Sequence, residues 1–298
     1  MDISIIIVSY NTKELLEECL DSISTYSKNI KCETFVVDND SHDNTAEFVK
    51  KNYPWVKLIE SSKNLGFSKA NNLALKKASG KYVLILNPDT KLTPDTLSSM
   101  KKFMDSSATD IGIATCRVEL ANGQLDKDCR RLFPTPQLAF THFSGLSKLF
   151  KKSAFFNGYY CGHLKEDEQH EIDACVGAFM FIRKNLLDKV GFFDEDYFFY
   201  GEDLDLCYRF KNAGYKIVYT PITKIVHYKG ASSGIKSHSK HLSKASRESK
   251  IKVLNESTRA MSLFYKKHYM DKYPKLITYT VLASIKFINT VRLLKVQL

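Results

Sequence analysis

Apolar runs and helical stripes alternate along the first hundred residues. Residues 3–9 (ISIIIVS) form a continuous β-branched apolar run, the pattern of a strand covered on both faces. Thr12 stands where a helix N-cap belongs, and Leu15, Leu16, Cys19, Leu20 and Ile23 follow at helical spacing. Strands are expected at 34–37, 56–60, 82–86 and 111–116, with helices at 44–52 and 68–78 between them. Gly80 is placed to close the second of these helices at its C′ position. Thr93-Pro94 opens another helix running to about residue 104. This strand–helix alternation predicts an α/β fold with a mostly parallel central sheet, right-handed crossovers and flanking helices. Ligands of such sheets bind outside the carboxyl ends of the strands. Asn11, Asp38, Asn39, Asn64, Asn87 and Asp89 are the polar residues there.

Residues 119–172 carry Pro134, Pro136 and many aromatics, and they read as loops over the sheet. Further strands are expected at 174–182, 215–219 and 223–227, and a helix at 204–211 ended by Gly214. Residues 230–241 read as polar and mobile, and 243–298 as helices. Two regions follow: an α/β body over 1–230 and a helical C-terminal extension over 231–298.

Composition sharpens this division. The chain has 298 residues, 44% hydrophobic and 26% charged, a balance that excludes disordered, collagenous and multi-span membrane classes. The net charge of +11 is unevenly placed. Residues 229–298 hold fifteen Lys and Arg against three acids, whereas the preceding part is almost neutral. Such an arm suits an anionic surface or substrate, or is simply a solvated helical face. The seven cysteines include no C-x-x-C pair, which points to a reducing cytosol over a disulfide framework. The N-terminus has no basic n-region and reads as the first strand, not a leader.

Four clusters carry candidate chemistry. Asp89 in Asn87-Pro88-Asp89 follows the strand YVLIL; its hard oxygens suit Mg2+ or Mn2+ on a diphosphate, and an Asx turn is the alternative. Asp38 ends a strand and can accept hydrogen bonds from a base or ribose, with helix capping as the alternative. Asn64-Leu65-Gly66-Phe67-Ser68, followed by Ala70-Asn71-Asn72, joins a turn to a helix start that can face a base edge or an anion, or is ordinary loop chemistry. In Phe198-Phe199-Tyr200-Gly201-Glu202-Asp203-Leu204-Asp205, three acids follow an aromatic run. Asp203 ranks first as a general base and Glu202 second, while Asp205 suits a helix-dipole or pairing role. His227 ends the strand IVHY as a structural histidine or a contact to metal or phosphate. Nicotinamide-type G-x-G-x-x-G, the P-loop and G-x-S-x-G are all missing from the sequence.

In order, Val8-Ser9-Tyr10-Asn11, Val37-Asp38-Asn39, Asn64-x-Gly66-Phe67, Asn87-Pro88-Asp89, and Gly201-Glu202-Asp203-x-Asp205 ahead of Cys207-x-Arg209 resemble the family 2 glycosyltransferases of the GT-A fold. The likeness spans about residues 1–230 and is strongest to the bacterial rhamnosyltransferase-type subgroup that builds surface polysaccharide. It implies a metal-dependent inverting enzyme using Mn2+ or Mg2+. The donor would be a dTDP- or UDP-sugar and the acceptor lipid-linked or an oligosaccharide. It further implies nucleotide contacts from Val8, Tyr10, Asn11, Asp38, Asn64, Asn71 and Asn87. Asp89 matches the last position of a D-x-D metal motif, and His227 a histidine that joins the metal in some members. Asp203 matches the catalytic base. Asn87 stands where many members have Asp, which puts more of the metal binding on Asp89 and the phosphates. The Q-x-x-R-W motif of processive polymerases is missing, which implies transfer of one or a few sugars.

Two rival functions remain at this point. A sugar-1-phosphate nucleotidyltransferase expects a Gly-rich basic loop after the first strand, and VSYNTKEL has no glycine. A basic adaptor for nucleic acid or membrane explains the tail but leaves Asp38, Asp89 and Asp203 without purpose, so nucleic acid is not the expected partner. Residues 275–298 are interrupted by Lys286 and Arg292, short of a spanning helix and suited to lie in the interface of an anionic membrane. The alternative is packing on the body or in a homodimer. The expected location is the cytoplasm, at the inner face of the cell membrane.

Overall fold

The computed structural model describes residues 1–229 and 247–297; the stretch expected to be polar and mobile, 230–241, lies outside the described residues. Strand β1 (Ile3–Ser9) is buried along its whole length, as its unbroken apolar run requires. It pairs in parallel with β2 (Cys32–Asn39) and β4 (Tyr82–Leu86), and β2 pairs in parallel with β3 (Val56–Ser61). Helices α1 (Lys13–Tyr26), α2 (Thr45–Asn52) and α3 (Gly66–Leu75) make the crossovers. The register sets Ser9 opposite Asp38 and Ile7 opposite Leu86. The chain therefore leaves β1, β2 and β4 along one edge, with Asn39 at the end of β2 and Asn11 and Asn87 just beyond β1 and β4.

The rest of the sheet is mixed. After β4 come β5 (Thr90–Leu92), α4 (Thr96–Ser106) and β6 (Ile111–Leu120). The irregular segment then contains a 3-10 turn (Lys127–Cys129) and three short helices, α5 (Pro136–Phe143), α6 (Leu146–Leu149) and α7 (Ala154–Asn157). Strands β7 (His170–Ile172) and β8 (Phe179–Arg183), helices α8 (Lys184–Val190) and α9 (Glu202–Asn212), and strand β9 (Lys216–His227) complete the body. The strand order is β3-β2-β1-β4-β8-β6-β9-β5, with β7 on β9. Strand β8 runs antiparallel between β4 and β6, and β9 is parallel to β6 but antiparallel to β5 and β7. Ile5, Leu84, Phe181, Ala114 and Val218 form one row across this sheet, all buried. The strands expected at 215–219 and 223–227 are a single strand. Pro221 sits in a register shift between Tyr219 and Lys224, where its missing N–H costs no ladder bond.

Two local expectations change. Thr12 caps nothing with its side chain and instead pairs with the Ser9 hydroxyl; Asp43, from the next loop, accepts the Lys13 amide at 3.0 Å. Gly80 does not close α3, which ends earlier at Leu75. It is needed for close approach: a Cβ there would meet the Ser4 amide nitrogen at 2.5 Å and the Tyr82 carbonyl at 2.7 Å. The Gly80 amide donates to Ser4 Oγ at 2.8 Å, and that hydroxyl donates to the buried Glu33 carboxylate at 2.6 Å. Ser79 also donates to Glu33, so the turn into β4 is tied to both central strands.

Helices α10 (Arg247–His268) and α11 (Lys275–Gln297) form a hairpin against α9. Ala260, Phe264, Tyr265 and Tyr269 join the same hydrophobic core as the sheet. His268 Nε2 lies 2.8 Å from Asp205, whose other oxygen takes Arg209 at 2.8 Å. The extension is thus a wall of the body.

Gly80→Ala is expected to cost about 1–3 kcal/mol, because the new methyl meets backbone that cannot turn aside. That is several degrees in Tm by thermal denaturation; an unchanged Tm would show that the β1–β4 junction yields.

Candidate active site

A cavity of about 1740 Å3 opens where the carboxyl ends of the central strands meet the segment before α9. Three groups of residues line it: Val8, Tyr10, Asn11, Asn64 and Asn87; Asp89 with His227; and Glu202 with Asp203. The structure therefore brings together nine of the eleven residues singled out from the sequence. Asp38 and Asn71 are outside its lining. Asp38 is buried at the end of β2, with Oδ1 left without a hydrogen-bond partner; burial pushes its carboxyl up, and hydrogen bonds from Ser41 hold it partly down. Its neighbour Asn39 lines the cavity instead. Asn71 is fully buried in α3 and donates to the Phe67 carbonyl at 2.9 Å.

The first group is a set of stapled turns. Asn11, in a left-handed conformation, receives the His42 amide on Oδ1 at 2.7 Å and gives its own amide to Ser41 Oγ at 3.0 Å. Asn39 accepts the Leu65 amide at 2.8 Å and donates to Asn64 Oδ1 at 3.1 Å. Gly66 follows at φ +77°, and a Cβ there would lie 2.4 Å from the Phe198 carbonyl. That carbonyl takes the Phe67 amide at 2.7 Å. The asparagine turn is thereby fixed to the aromatic run that leads into the acidic cluster. Tyr10 projects into the cavity and is 45% exposed, an open ring face at the rim.

Asp89 and His227 make the second part. Thr90 of β5 stands opposite His227 of β9, and the Asp89 carbonyl accepts the Tyr228 amide at 2.8 Å. Asp89 Oδ1 lies 3.3 Å from His227 Nε2, and His227 Nδ1 lies 3.1 Å from Asp126 Oδ2. Lys229 bridges Asp126 and Asp128. Burial opposes charge on His227, yet Asp89 and Asp126 on either side outweigh it and raise the imidazole to about 9. Burial likewise opposes charge on Asp126, and His227 and Lys229 bring its carboxyl below the usual range. Among the described residues there is no cluster of three or more His, Cys, Asp or Glu able to hold a metal unaided. Asp89 and His227 instead offer one oxygen and, once an incoming cation displaces the Nε2 proton, one nitrogen in a buried pair open to the cavity. That donor set fits a divalent cation whose remaining ligands are phosphate oxygens and water.

The third part is the start of α9, where three adjacent acids have three environments. Asp203 Oδ2 accepts Arg131 Nη2 at 2.6 Å, and Oδ1 accepts the Leu204 amide at 2.8 Å. Arg131 is itself buried and also donates to the Cys175 carbonyl at 3.0 Å. Glu202 is buried, and its Oε2 has no partner. Burial first, and the neighbouring Asp203 second, push its carboxyl up to about 8. Asp205 faces away into the Arg209–His268 pair and has a structural role.

Arg131, Asp126, Asp128 and Lys229 were not singled out from the sequence. The run Asp126–Arg131 lies in the segment read as loops, and its only local signal is a dense patch of charge (DKDCRR) a few residues beyond β6.

Residues 4–191 match the family model described as glycosyl transferase family 2. The chain is 25% identical over 243 residues to the N-acetylglucosaminyl-diphospho-decaprenol L-rhamnosyltransferase of Mycobacterium tuberculosis, covering 77% of each chain. It is 25% identical over 233 residues to the rhamnosyltransferase WbbL of Escherichia coli, covering 75% of this chain and 82% of that one. Among solved structures, it resembles the mannosyltransferase PcManGT of Pyrobaculum calidifontis, determined with GDP-Man and Mn2+. There the TM-score is 0.55 at 19% identity, over 98% of this chain and 86% of that one. The fold is thus GT-A, and the nucleotidyltransferase and adaptor alternatives fall away. A mixed sheet whose strand ends bring Asp89 and His227 to the cavity that Asp203 lines from the start of α9, and a family match over most of the body, make this chain a glycosyltransferase of glycan biosynthesis that belongs to glycosyl transferase family 2.

Proposed function

We propose that the protein moves a single sugar, rhamnose by its likeness to the rhamnosyltransferases, from a dTDP- or UDP-sugar to a lipid-linked or oligosaccharide acceptor, with inversion. The observation that carries this reading is the shared cavity, lined by both the Asp89–His227 pair and Asp203. The base and ribose of the donor fit the asparagine turns beside Tyr10. The diphosphate fits against Asp89 and His227, where Mn2+ or Mg2+, held by those two side chains and the phosphates, would offset the charge of the leaving group.

Asp203 is the base. It deprotonates the acceptor hydroxyl as that oxygen forms its bond to the anomeric carbon and the bond to the diphosphate breaks on the opposite face. Arg131 fixes the orientation of the Asp203 carboxylate from behind, leaving the attacking hydroxyl to approach from the cavity. Glu202, protonated at neutral pH, offers a hydrogen-bond donor to a sugar hydroxyl without adding a second negative charge beside the base. The α10–α11 wall and the basic extension suit an enzyme working at the inner, cytoplasmic face of the membrane on a lipid-linked acceptor.

Two outcomes test this. With a panel of nucleotide sugars and Mn2+, Asp203→Asn should keep nucleotide affinity while turnover falls on the order of 10²–10⁴-fold; near-full turnover would move the base elsewhere. A melting curve taken alongside checks that Arg131, left without its counter-charge, has not unfolded the variant. The second outcome concerns Glu202, which keeps its proton to about pH 8 in the native state but only to the ordinary carboxyl range once unfolded. The stability from that extra proton is complete at acid pH and is lost as pH rises toward 8. The wild type should therefore lose Tm between about pH 5 and 8 relative to Glu202→Gln; parallel curves would contradict a protonated Glu202.

A further inference from the structure

Helix α11 is apolar on two opposite faces. Thr278, Ile285 and Asn289 turn inward, with Tyr265 Oη 3.3 Å from Thr278 Oγ1 and Thr258 donating to Asn289 at 2.9 Å, so the inner face is bound to α10. At about 100° per residue, Leu276, Tyr279, Ala283, Phe287 and Leu294 fall within roughly a quarter of the circumference on the other side. All five are exposed, Leu276 by 79% and Phe287 by 69%. The helix holds Lys275, Lys286, Arg292 and Lys295 and no acid. By length and composition it is apolar enough to cross a membrane, yet one side is committed to the body by polar contacts.

A second segment, far away in the chain, has the same character. Helices α5, α6 and α7 expose Phe140, Phe143, Leu149, Phe150 and Phe155. Residues 136–157 hold Lys148, Lys151 and Lys152 and no acid. Both segments reach one cavity: Phe140 and Phe143 from α5, and Leu276 and Ile277 from α11, are exposed and line the cavity that contains Asp203. An apolar surface this extensive, in two separate segments that reach one cavity and whose own charged residues are all cations, is complementary to an anionic bilayer.

We propose that α5–α7 and the outer face of α11 form a two-armed docking surface for an anionic lipid bilayer, with the mouth of the active-site cavity between the arms. The apolar side chains enter the headgroup–acyl boundary, and the lysines reach the lipid phosphates. An acceptor anchored in the bilayer then reaches Asp203 without leaving it. This deepens the proposed function, since it rests on a lipid-linked acceptor, but docking itself is measured without any sugar.

The test is flotation of the full chain with vesicles of phosphatidylcholine alone or mixed with phosphatidylglycerol. Variants carry Leu149→Ser, Phe155→Ser, Lys151→Glu and Lys152→Glu on one arm, or Phe287→Ser, Leu294→Ser and Lys286→Glu on the other; none of these residues lines the cavity. Melting curves confirm that each variant is folded. The wild type should float with the anionic vesicles, less so in high salt. Each arm's variant should lose about fivefold or more in partitioning, and the two together should fall to background. Nucleotide binding, read separately by thermal shift, should remain in all of them, so a failed donor site and a failed docking surface give different results. A wild type that stays with the soluble fraction overturns the proposal, as does an α6–α7 variant that floats like the wild type. So does a dimer in solution that the α11 substitutions dissociate, since that face would then belong to a second copy.

Discussion

Three residues of β5, paired antiparallel to the end of β9, hold the site together. This short ladder sets Thr90 opposite His227 and so brings Asp89 within reach of the imidazole. Side chains alternate along a strand, so a slip of one residue in β9 would turn His227 to the other face of the sheet. The pairing is protected by its surroundings: β9 is also bound to β6 and β7, and the Thr93 and Thr96 hydroxyls reach the Lys224 carbonyl. The parallel half of the sheet supplies the asparagine turns and the strand that leads to Asp89, and the antiparallel half supplies the histidine that meets it. Neither half has a site alone.

Buried charge is tolerated here because it is arranged in opposition. Asp89, His227, Asp126, Lys229 and Asp128 alternate in sign along one chain of contacts, and Arg131 answers Asp203 a short way off. An isolated buried ion costs several kcal/mol or more, so each of these depends on its neighbour. Among the described residues Glu202 has no such partner, and the raised pKa is the physical consequence. Adjacent residues are thus set apart by environment alone, Asp203 held by a guanidinium and Glu202 buried beside it with a raised pKa.

The parallel half of the fold was legible because its information is local. An apolar run such as Ile3–Ser9 and a helical stripe such as Leu16–Cys19–Leu20 are read within a few residues. The mixed half was not: β8 returns to pair with β4 after a long irregular segment, and nothing near Phe179 announces the direction of its partner. For the same reason Asp89 and Asp203, which sit at strand and helix ends, stood out, whereas Arg131 acquires its meaning only from a carboxylate seventy-two positions away. Asp38 and Asn71 show the converse. Motif position marked them, but burial turned Asn71 inward and put Asn39, not Asp38, on the cavity wall.

In the proposed function, Asp89 and His227 are half of a cation site that a nucleoside diphosphate completes. Electron paramagnetic resonance of Mn2+ titrated into the protein tests this directly, with and without UDP or dTDP. The ion is expected to stay largely free with the protein alone. Added nucleotide should draw it into the bound state, with a directly coordinated nitrogen that disappears in His227→Gln. Equally tight uptake of Mn2+ without nucleotide, or unchanged nucleotide-dependent uptake in Asp89→Asn, would contradict it.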